Sequence, residues 1–175
     1  MSENNLFNEE ARSKMKELAE NIDFTMMETN LNGKPSHIVP MSTKEIDVDG
    51  CIWFLSNKNS DHNSFLNSDN SIQLIYSKPS DMEFMTIFGH ASVTTDKAIL
   101  EALYGKSDDA WFEGVDDPNL TAIKVVPKAA HYWDTKNNKL VSLLKIGLGA
   151  ITGEKQDLGE EGNLDLNMTE RPLNH

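Results

Sequence analysis

Two turn dipeptides, Asn32-Gly33 and Asp49-Gly50, are the features that most restrict how this chain folds. Asn-Gly and Asp-Gly readily supply the positive backbone φ of tight hairpin turns, so each is expected to join two antiparallel strands. The first lies between strand-like runs at residues 23–29 and 36–48, and the second leads into an apolar run at residues 51–55. This part of the chain therefore predicts consecutive hairpins rather than alternating strands and helices.

The remainder of the chain continues this pattern. Further strands are expected at residues 71–77, 83–94 and 120–133, and Gly89 indicates a bulge or a close approach of another backbone. Helices are expected at residues 6–22, from Ser60 or Asp61 onwards, from Asp96 to Tyr104, and at residues 142–151. About six strands with helices at the ends and corners predict an α+β fold, a small antiparallel barrel with peripheral helices.

Length and charge narrow the class of protein. The chain has 175 residues, the size of one domain, and 16 Lys and Arg against 28 Asp and Glu give a net charge of −12. Such acidity repels phosphate backbones and anionic lipid, so we expect no nucleic acid and no membrane as partner. The single cysteine, Cys51, and the lack of a basic and apolar leader predict a cytoplasmic protein.

The C-terminal region differs in composition from the rest. Six acids against Lys155 and Arg171 give residues 154–175 a local charge of −4. We therefore expect one domain over residues 1–153, followed by an acidic C-terminal tail at 154–175 that is solvated or laid over the surface.

Metal or nucleophile chemistry has little support in the sequence. The five histidines and the lone cysteine show none of the short spacings typical of zinc ligands, so no metal is expected. Cys51 has no cationic neighbour in sequence, and no G-x-S-x-G elbow occurs. The sequence therefore assigns no catalytic residue.

The polar segment at residues 56–64 is the most promising site. Its hydroxyls and backbone N–H groups, together with Lys58 and His62, suit a phosphate at the start of a helix. Ser60 or Asp61 equally suits an N-cap, and Asp61 would repel an anion if it faced the site. Capping is the commoner use of such residues, and both interpretations stay open on these grounds.

A set of short strings recurs in order along nearly the whole chain. The strings are Val39-Pro40-Met41-Ser42-Thr43, Val48-Asp49-Gly50, Ile52-Trp53-Phe54-Leu55-Ser56, residues 71–79, Ala110-Trp111-Phe112-Glu113-Gly114, Asp116-Asp117-Pro118, Lys124-Val125-Val126-Pro127 and Tyr132-Trp133-Asp134. No single string is specific. Together, in order and spacing, they resemble the general stress protein 26 group of the pyridoxamine 5′-phosphate oxidase-like, flavin-binding split barrels.

The resemblance implies a six-stranded antiparallel split β-barrel with Greek-key topology and peripheral helices. It also implies a homodimer that binds flavin mononucleotide (FMN) in clefts at the subunit interface, and a stress-related oxidoreductase of unnamed substrate. Strand backbones would contact the edge of the flavin ring, and residues 58–64 would hold the phosphate. The cofactor-binding residues expected on this basis are Pro40, Met41, Ser42, Thr43, Phe54, Leu55, Ser56, Lys58, Ser60, His62 and Trp111.

Trp111 has two possible roles under this resemblance. Its indole is suited to cover a flavin face by offset stacking, or it packs with Phe112 at the dimer interface, and the sequence does not choose between them. The acidic C-terminal segment disfavours a true pyridoxamine 5′-phosphate oxidase, whose substrate phosphate is bound by basic residues there in the family pattern.

Two departures from the family pattern concern the phosphate. The family has Arg-Pro-Met where this chain has Val39-Pro40-Met41, and Ser-His-Lys or Ser-Arg-Lys where it has Ser60-Asp61-His62. Each charge-assisted contact contributes about 1.5–3 kcal/mol, so weaker phosphate binding is expected, with partial compensation from Lys58 and from His62 below about pH 6.5. Two alternatives therefore remain: a non-enzymatic dimeric stress protein with a degenerate flavin site, or a barrel that binds another planar cofactor such as haem or a deazaflavin.

Overall fold

The computed structural model describes residues 2–3, 6–135 and 159–166. The expected helix at residues 142–151 lies outside the described residues. The elements are β1 (Ser2–Glu3), β2 (Leu6–Phe7), α1 (Asn8–Ile22), β3 (Phe24–Thr29), β4 (His37–Ser42), β5 (Glu45–Ile46), β6 (Ile52–Asn57), α2 (Asp61–Ser68), β7 (Ser71–Lys78), β8 (Glu83–Thr94), α3 (Lys97–Leu103), a 3₁₀ helix (Lys106–Ala110), β9 (Leu120–Thr135) and β10 (Gly159–Asp165).

These strands form one curled, mostly antiparallel sheet, which confirms the expected split barrel. The main path runs β1-β10-β9-β8-β7-β3-β4, while β6 pairs with β9 and β5 pairs with β6. The six expected strands correspond to β3, β4 with its continuation β5, β6, β7, β8 and β9. The additional strands are β10 and the two-residue strands β1 and β2, which pair with β10 in parallel.

The two long strands β8 and β9 run through both parts of the split barrel. The first half of β9 pairs with β6 and the second half pairs with β10, so one strand serves both parts of the sheet. The register of β8 and β9 shifts between Phe88 and Gly89, where a Cβ on Gly89 would lie 2.5 Å from the carbonyl oxygen of Val126. The bulge and the close backbone approach expected at Gly89 are both confirmed.

The connection from β4 to β5 closes the barrel and builds one wall of the site. The backbone N–H of Thr43 donates to the Asp23 carbonyl (2.9 Å), and that of Lys44 donates to the Trp53 carbonyl (2.9 Å). The chain therefore passes from the edge of β3 to the edge of β6 within two residues. This crossing brings the end of β4 close to the end of β6.

The two predicted turns differ in outcome. At Asp49-Gly50 the hairpin forms as expected, with Gly50 at φ +79° and its N–H donated to the Asp47 carbonyl. The strands beside Asn32-Gly33 also pair, but the loop spans residues 30–36, and the positive φ falls on Asn30 at +53°. Asparagine tolerates this conformation, so Asn30 takes the role that the dipeptide was expected to fill.

Helix α1 packs its apolar face onto the sheet and completes the core. Ala11, Met15, Leu18 and Ala19 are at most 1% exposed, and their spacing puts them on one face of the helix. They pack in one cluster with inward side chains of the strands, such as Tyr76. The other helices begin as expected: Ser60 is the N-cap of α2, and Asp96 is the N-cap of α3.

The acidic segment after residue 153 is not wholly solvated, which corrects the expectation for part of it. Strand β10 pairs with β9 over six residue pairs, and Leu164 is 2% exposed within the core. Leu164 in this strand and Leu166 just after it are both buried, a two-residue alternation that the net charge of the segment obscured. The division into domains at residue 153 stays a prediction.

Among the described residues, no helix is long and apolar enough to cross a membrane.

Candidate functional site

A cleft of about 480 Å³ opens beside the crossing from β4 to β5. Its walls are the end of β4, the end of β6, the first turn of α2, and the segment around the 3₁₀ helix. This volume lies within the range of small-molecule sites. The lining residues are Phe24, Pro40, Met41, Ser42, Lys44, Leu55, Ser56, Asn57, His62, Ser107, Asp108, Trp111 and Phe112.

The apolar lining comes from four separate parts of the chain. Pro40 and Met41 belong to β4, Leu55 belongs to β6, and Trp111 follows the 3₁₀ helix. Phe24, at the start of β3, is 58% exposed, and Trp111 is 82% exposed. Large aromatic side chains left this exposed beside a cleft indicate a surface that binds a ligand or another protein.

An ion pair fixes the 3₁₀ segment against the barrel. The Lys44 Nζ lies 2.7 Å from the Asp108 carboxylate, and both side chains are largely buried. The same carboxylate accepts the backbone N–H of Gly105 at 2.8 Å. Lys44 therefore holds the segment that carries Trp111 against the barrel. The same contact neutralises the positive charge that Lys44 brings into the cleft.

A buried hydrogen-bond network supports the polar end of the cleft. The amide nitrogen of Asn63 donates to the Asn57 carbonyl (3.1 Å) and to Thr121 Oγ1 (3.0 Å), and Thr121 in turn donates to the Ser56 carbonyl (2.8 Å). These bonds fix the orientation of the amide, so Asn63 Oδ1 must accept the hydroxyl proton of Ser56, which is 2.9 Å away. The network joins α2 to both β6 and β9.

The network also determines the tautomer of His62. Ser56 Oγ lies 2.8 Å from His62 Nε2 and has already given its only proton to Asn63. Ser56 therefore accepts, and Nε2 of His62 carries the hydrogen. The second ring nitrogen, Nδ1, is left as the position where His62 takes up a proton.

His62 is held neutral by its surroundings. Burial, and next the nearby His37, lower the pKa of His62, while Asp61 acts in the opposite direction. The ring centroids of His37 and His62 are 6.1 Å apart with an interplanar angle of 23°. Near neutral pH the cleft therefore lacks a permanent unpaired cation among its described residues.

The structure brings seven of the eleven expected cofactor-binding residues together in the cleft. They are Pro40, Met41, Ser42, Leu55, Ser56, His62 and Trp111. They come from β4, β6, α2 and the segment after the 3₁₀ helix, as far as 71 positions apart in sequence (111 − 40). Whether they bind a cofactor stays a proposal.

The other four expected residues have their side chains elsewhere. Thr43 Oγ1 is hydrogen-bonded to the Tyr76 hydroxyl at 2.8 Å, and Phe54 is fully buried in the core. Lys58 is exposed in the turn after β6, where its backbone N–H binds the Asn119 carbonyl. Ser60 caps α2, which confirms the capping interpretation of the polar loop.

Several lining residues were not among the expected cofactor-binding residues. They are Phe24, Lys44, Asn57, Ser107, Asp108 and Phe112. Two of them carried a signal, because Asn57 lies in the polar segment at residues 56–64 and Phe112 stands beside Trp111 in a family-like string. Lys44 and Asp108 are 64 positions apart, and no local pattern indicates that they form a pair.

The cleft lining suits the ring of a flavin but, among the described residues, offers no fixed cation to the phosphate of FMN. Its apolar and aromatic lining suits a planar ring, and its backbone and hydroxyl groups suit the ring edge. The phosphate has no fixed cation: Lys44 is paired, Lys58 lies outside the lining, and Val39 packs against the core. Within the described residues, no group of three His, Cys, Asp or Glu side chains could hold a metal ion.

The fold is a split barrel with an apolar and aromatic cleft at the junction of β4 and β6. The family model described as pyridoxamine 5′-phosphate oxidase like matches residues 10–157. The chain therefore belongs to the pyridoxamine 5′-phosphate oxidase-like family.

Solved structures share this fold. A candidate general stress protein 26 of Jannaschia sp. CCS1 superposes with a TM-score of 0.74 at 23% sequence identity, covering 89% of this chain and 98% of that chain. The general stress FMN/FAD binding protein of Xanthomonas citri superposes with a TM-score of 0.64 at 24% identity, covering 75% and 93%. At these identities the likeness establishes the fold alone.

A curated relative shares part of the sequence. Protein bli-3 of Neurospora crassa is 26% identical over 112 residues, which are 59% of this chain and 54% of that protein. The chain thus spans about half the length of this curated relative.

Proposed function

We propose that this chain is a flavin-binding protein of the general stress type, which holds FMN with its ring in the cleft and acts as an oxidoreductase. The observation that carries the proposal is the apolar and aromatic lining, which four separate elements contribute to one cleft beside hydroxyl and amide groups. Membership of the family and the likeness to a protein described as binding FMN or FAD support it. The substrate is left open.

The residues of β4 and β6 would orient the ring. In the sheet order β4 is the last strand, so among the described strands its outer backbone edge has no partner. The backbone of Ser42 and the carbonyl of Pro40 on this edge would offer hydrogen bonds to the rim of the ring. Leu55 and Pro40 would exclude water from the ring face.

Trp111 would cover the ring from the solvent side. Trp111 is 82% exposed, and the paired Lys44 and Asp108 hold the preceding segment at the cleft. When bound, an isoalloxazine ring accepts or donates a hydride, so no protein nucleophile or metal is needed. The chain's own residues would position the ring and leave one face open to a small substrate.

A second copy of the chain is the expected partner. Phe24 and Met26 on β3 and Ile38 on β4 are all exposed large apolar side chains, and Pro40 beside them lines the cleft. A partner on this face would bury the patch and reach the mouth of the cleft. Sedimentation should therefore give a dimer at micromolar concentration, and a persistent monomer would contradict a two-subunit cleft.

One observation favours a second candidate function. The family cations are replaced by Val39, which packs against the core, and by Asp61 and His62. A protein whose flavin site is degenerate would keep the barrel and the dimer without catalysis. A barrel that takes haem or a deazaflavin would keep the planar site with different phosphate requirements.

Absorbance separates these functions. The purified protein should show flavin bands in the blue or, if it is purified empty, should bind added FMN and quench its fluorescence. A Soret band would indicate haem, and neither bands nor binding would support the degenerate site.

Variants then test where the flavin binds. Ser42→Phe fills the cleft from β4 and should abolish FMN binding. Ser80→Phe is the matched control, because Ser80 lies in the exposed turn between β7 and β8. Undiminished binding by Ser42→Phe would show that the flavin binds elsewhere.

A further inference from the structure

The polar end of the cleft carries an imidazole where a fixed cation would ordinarily bind a phosphate. We propose that His62 is the anion-binding group of this cleft, so that the preference for FMN over riboflavin exists only when His62 holds a second proton. This inference rests on the proposed flavin site and specifies how its phosphate is recognised. It makes phosphate affinity depend on pH in a direction opposite to that of a lysine or arginine site.

The hydrogen bonds of His62 determine where this proton binds. Nε2 already carries a hydrogen, which it donates to Ser56 Oγ at 2.8 Å. Asn63 Oδ1 accepts the hydroxyl proton of Ser56, and Thr121 Oγ1 fixes the orientation of this amide by accepting from its nitrogen, so Ser56 Oγ can only accept from His62. The additional proton therefore binds at Nδ1, and the ring becomes an imidazolium without losing its place at the cleft wall.

The groups around His62 set the balance between its neutral and charged forms. On its own helix Asp61 favours the charged ring, whereas His37 on β4 stacks against it and opposes a positive charge. Across the cleft, Lys44 and Asp108 neutralise each other at 2.7 Å. His62 is therefore neutral near pH 7 in the absence of an anion, and a bound phosphate would draw a proton onto it.

The sign of the pH dependence follows from counting protons. A phosphate monoester has its second pKa near about 6, so free FMN is a dianion at mildly alkaline pH. Binding the dianion to an imidazolium then requires the uptake of one proton, and the affinity for FMN falls by up to about tenfold for each pH unit. At a site with a fixed cation, the affinity for FMN would instead rise with pH as the phosphate ionises, and it would stay constant once the phosphate is a dianion.

The test compares two flavins that differ only in the phosphate. Dissociation constants of FMN and riboflavin are measured by fluorescence quenching on the full chain at about pH 6.5 and about pH 8.5. The ratio of the two constants isolates the phosphate, and we expect the preference for FMN to fall roughly tenfold or more with rising pH. Riboflavin affinity should change by less than about twofold, because its ring carries no group that titrates in this range.

Two variants identify the titrating group. His62→Lys supplies a fixed cation, so its preference for FMN should not fall with pH. His131→Gln is the matched control, since His131 lies on the far half of β9, outside the cleft lining, and this variant should follow the wild type. Should His62→Lys fail to fold, calorimetry of the wild type in two buffers provides the same information: close to one proton taken up with FMN at about pH 8, and none with riboflavin.

The outcomes are distinct. A preference for FMN that is absent at every pH, that stays level or rises with pH, or that falls equally in His62→Lys would overturn the inference while leaving the flavin site intact. Failure to bind either flavin would refute the proposed function and this inference with it.

Discussion

Asn63 offers the sharpest test of how the cleft is supported, because its side chain is 2% exposed and joins three parts of the chain. The substitution Asn63→Leu keeps a side chain of comparable length but removes both donors and the acceptor. It leaves the Asn57 carbonyl, Thr121 Oγ1 and Ser56 Oγ without the bonds that Asn63 supplied.

The magnitude follows from these three bonds. Each contributes about 1 kcal/mol net, so the free energy of unfolding should fall by about 3 kcal/mol. With a urea m-value of about 2 kcal/mol/M, the midpoint should fall by about 1.5 M. The loss belongs to hydrogen bonding, because leucine supplies at least as much apolar surface as asparagine.

The assay is urea unfolding at one fixed protein concentration, since the proposed dimer would make apparent stability depend on concentration. Asn67→Leu is the matched control: Asn67 is exposed on the same helix, and its replacement should change stability by less than about 0.5 kcal/mol. Equal midpoints for the two variants would refute the role assigned to the network.

Four further predictions concern the cleft and the barrel. Trp111→Ala should weaken flavin binding about threefold to tenfold in equilibrium titration while sedimentation shows an unchanged assembly. Gly89→Ala should lower the free energy of unfolding by about 1–3 kcal/mol in urea, because the added methyl meets a backbone carbonyl at 2.5 Å. Because burial lowers the pKa of His62, the unfolded chain binds a proton at this residue more readily than the folded chain does. The contribution of neutral His62 to the free energy of unfolding is therefore fully present above about pH 6.5 and is lost as the pH falls through the lowered pKa of the folded state. Urea midpoints of His62→Gln should fall less at acid pH than those of the wild type. Asp108→Asn removes the partner of Lys44, and titrations with FMN and riboflavin should then show a severalfold stronger preference for FMN.

Local sequence patterns predicted much of the barrel because they reflect local physics. The two-residue alternation of residues 83–94 became β8, and Ser60 and Asp96 cap the helices that follow them. Strand β10 was not predicted, because Leu164 and the following Leu166, which are both buried, lie among acids whose net charge indicated a solvated segment.

The site was less predictable, because sequence proximity is a poor guide to which charges meet across a barrel. Lys58 was expected in the phosphate site because it belongs to the same polar segment as His62, and the turn after β6 leaves it exposed. The crossing from β4 to β5 brings Lys44 into the cleft instead, where Asp108 pairs with it. Such contacts depend on how the barrel closes, and no short motif contains that information.

The hydrogen-bond network of Asn63 could not be predicted from the sequence either, for the same reason. Asn63 was part of the polar loop in the sequence, but its partner Thr121 lies on β9, 58 positions away. The tautomer of His62 follows from this long-range contact and therefore becomes visible only in the folded chain.

A crystal structure of the protein with bound flavin would test the central claim most directly. The account predicts electron density for the isoalloxazine ring between Met41, Leu55 and Trp111, with the ribityl chain directed towards His62. Ordered flavin elsewhere on the barrel, or protein crystals grown in excess flavin with this cleft empty, would contradict it.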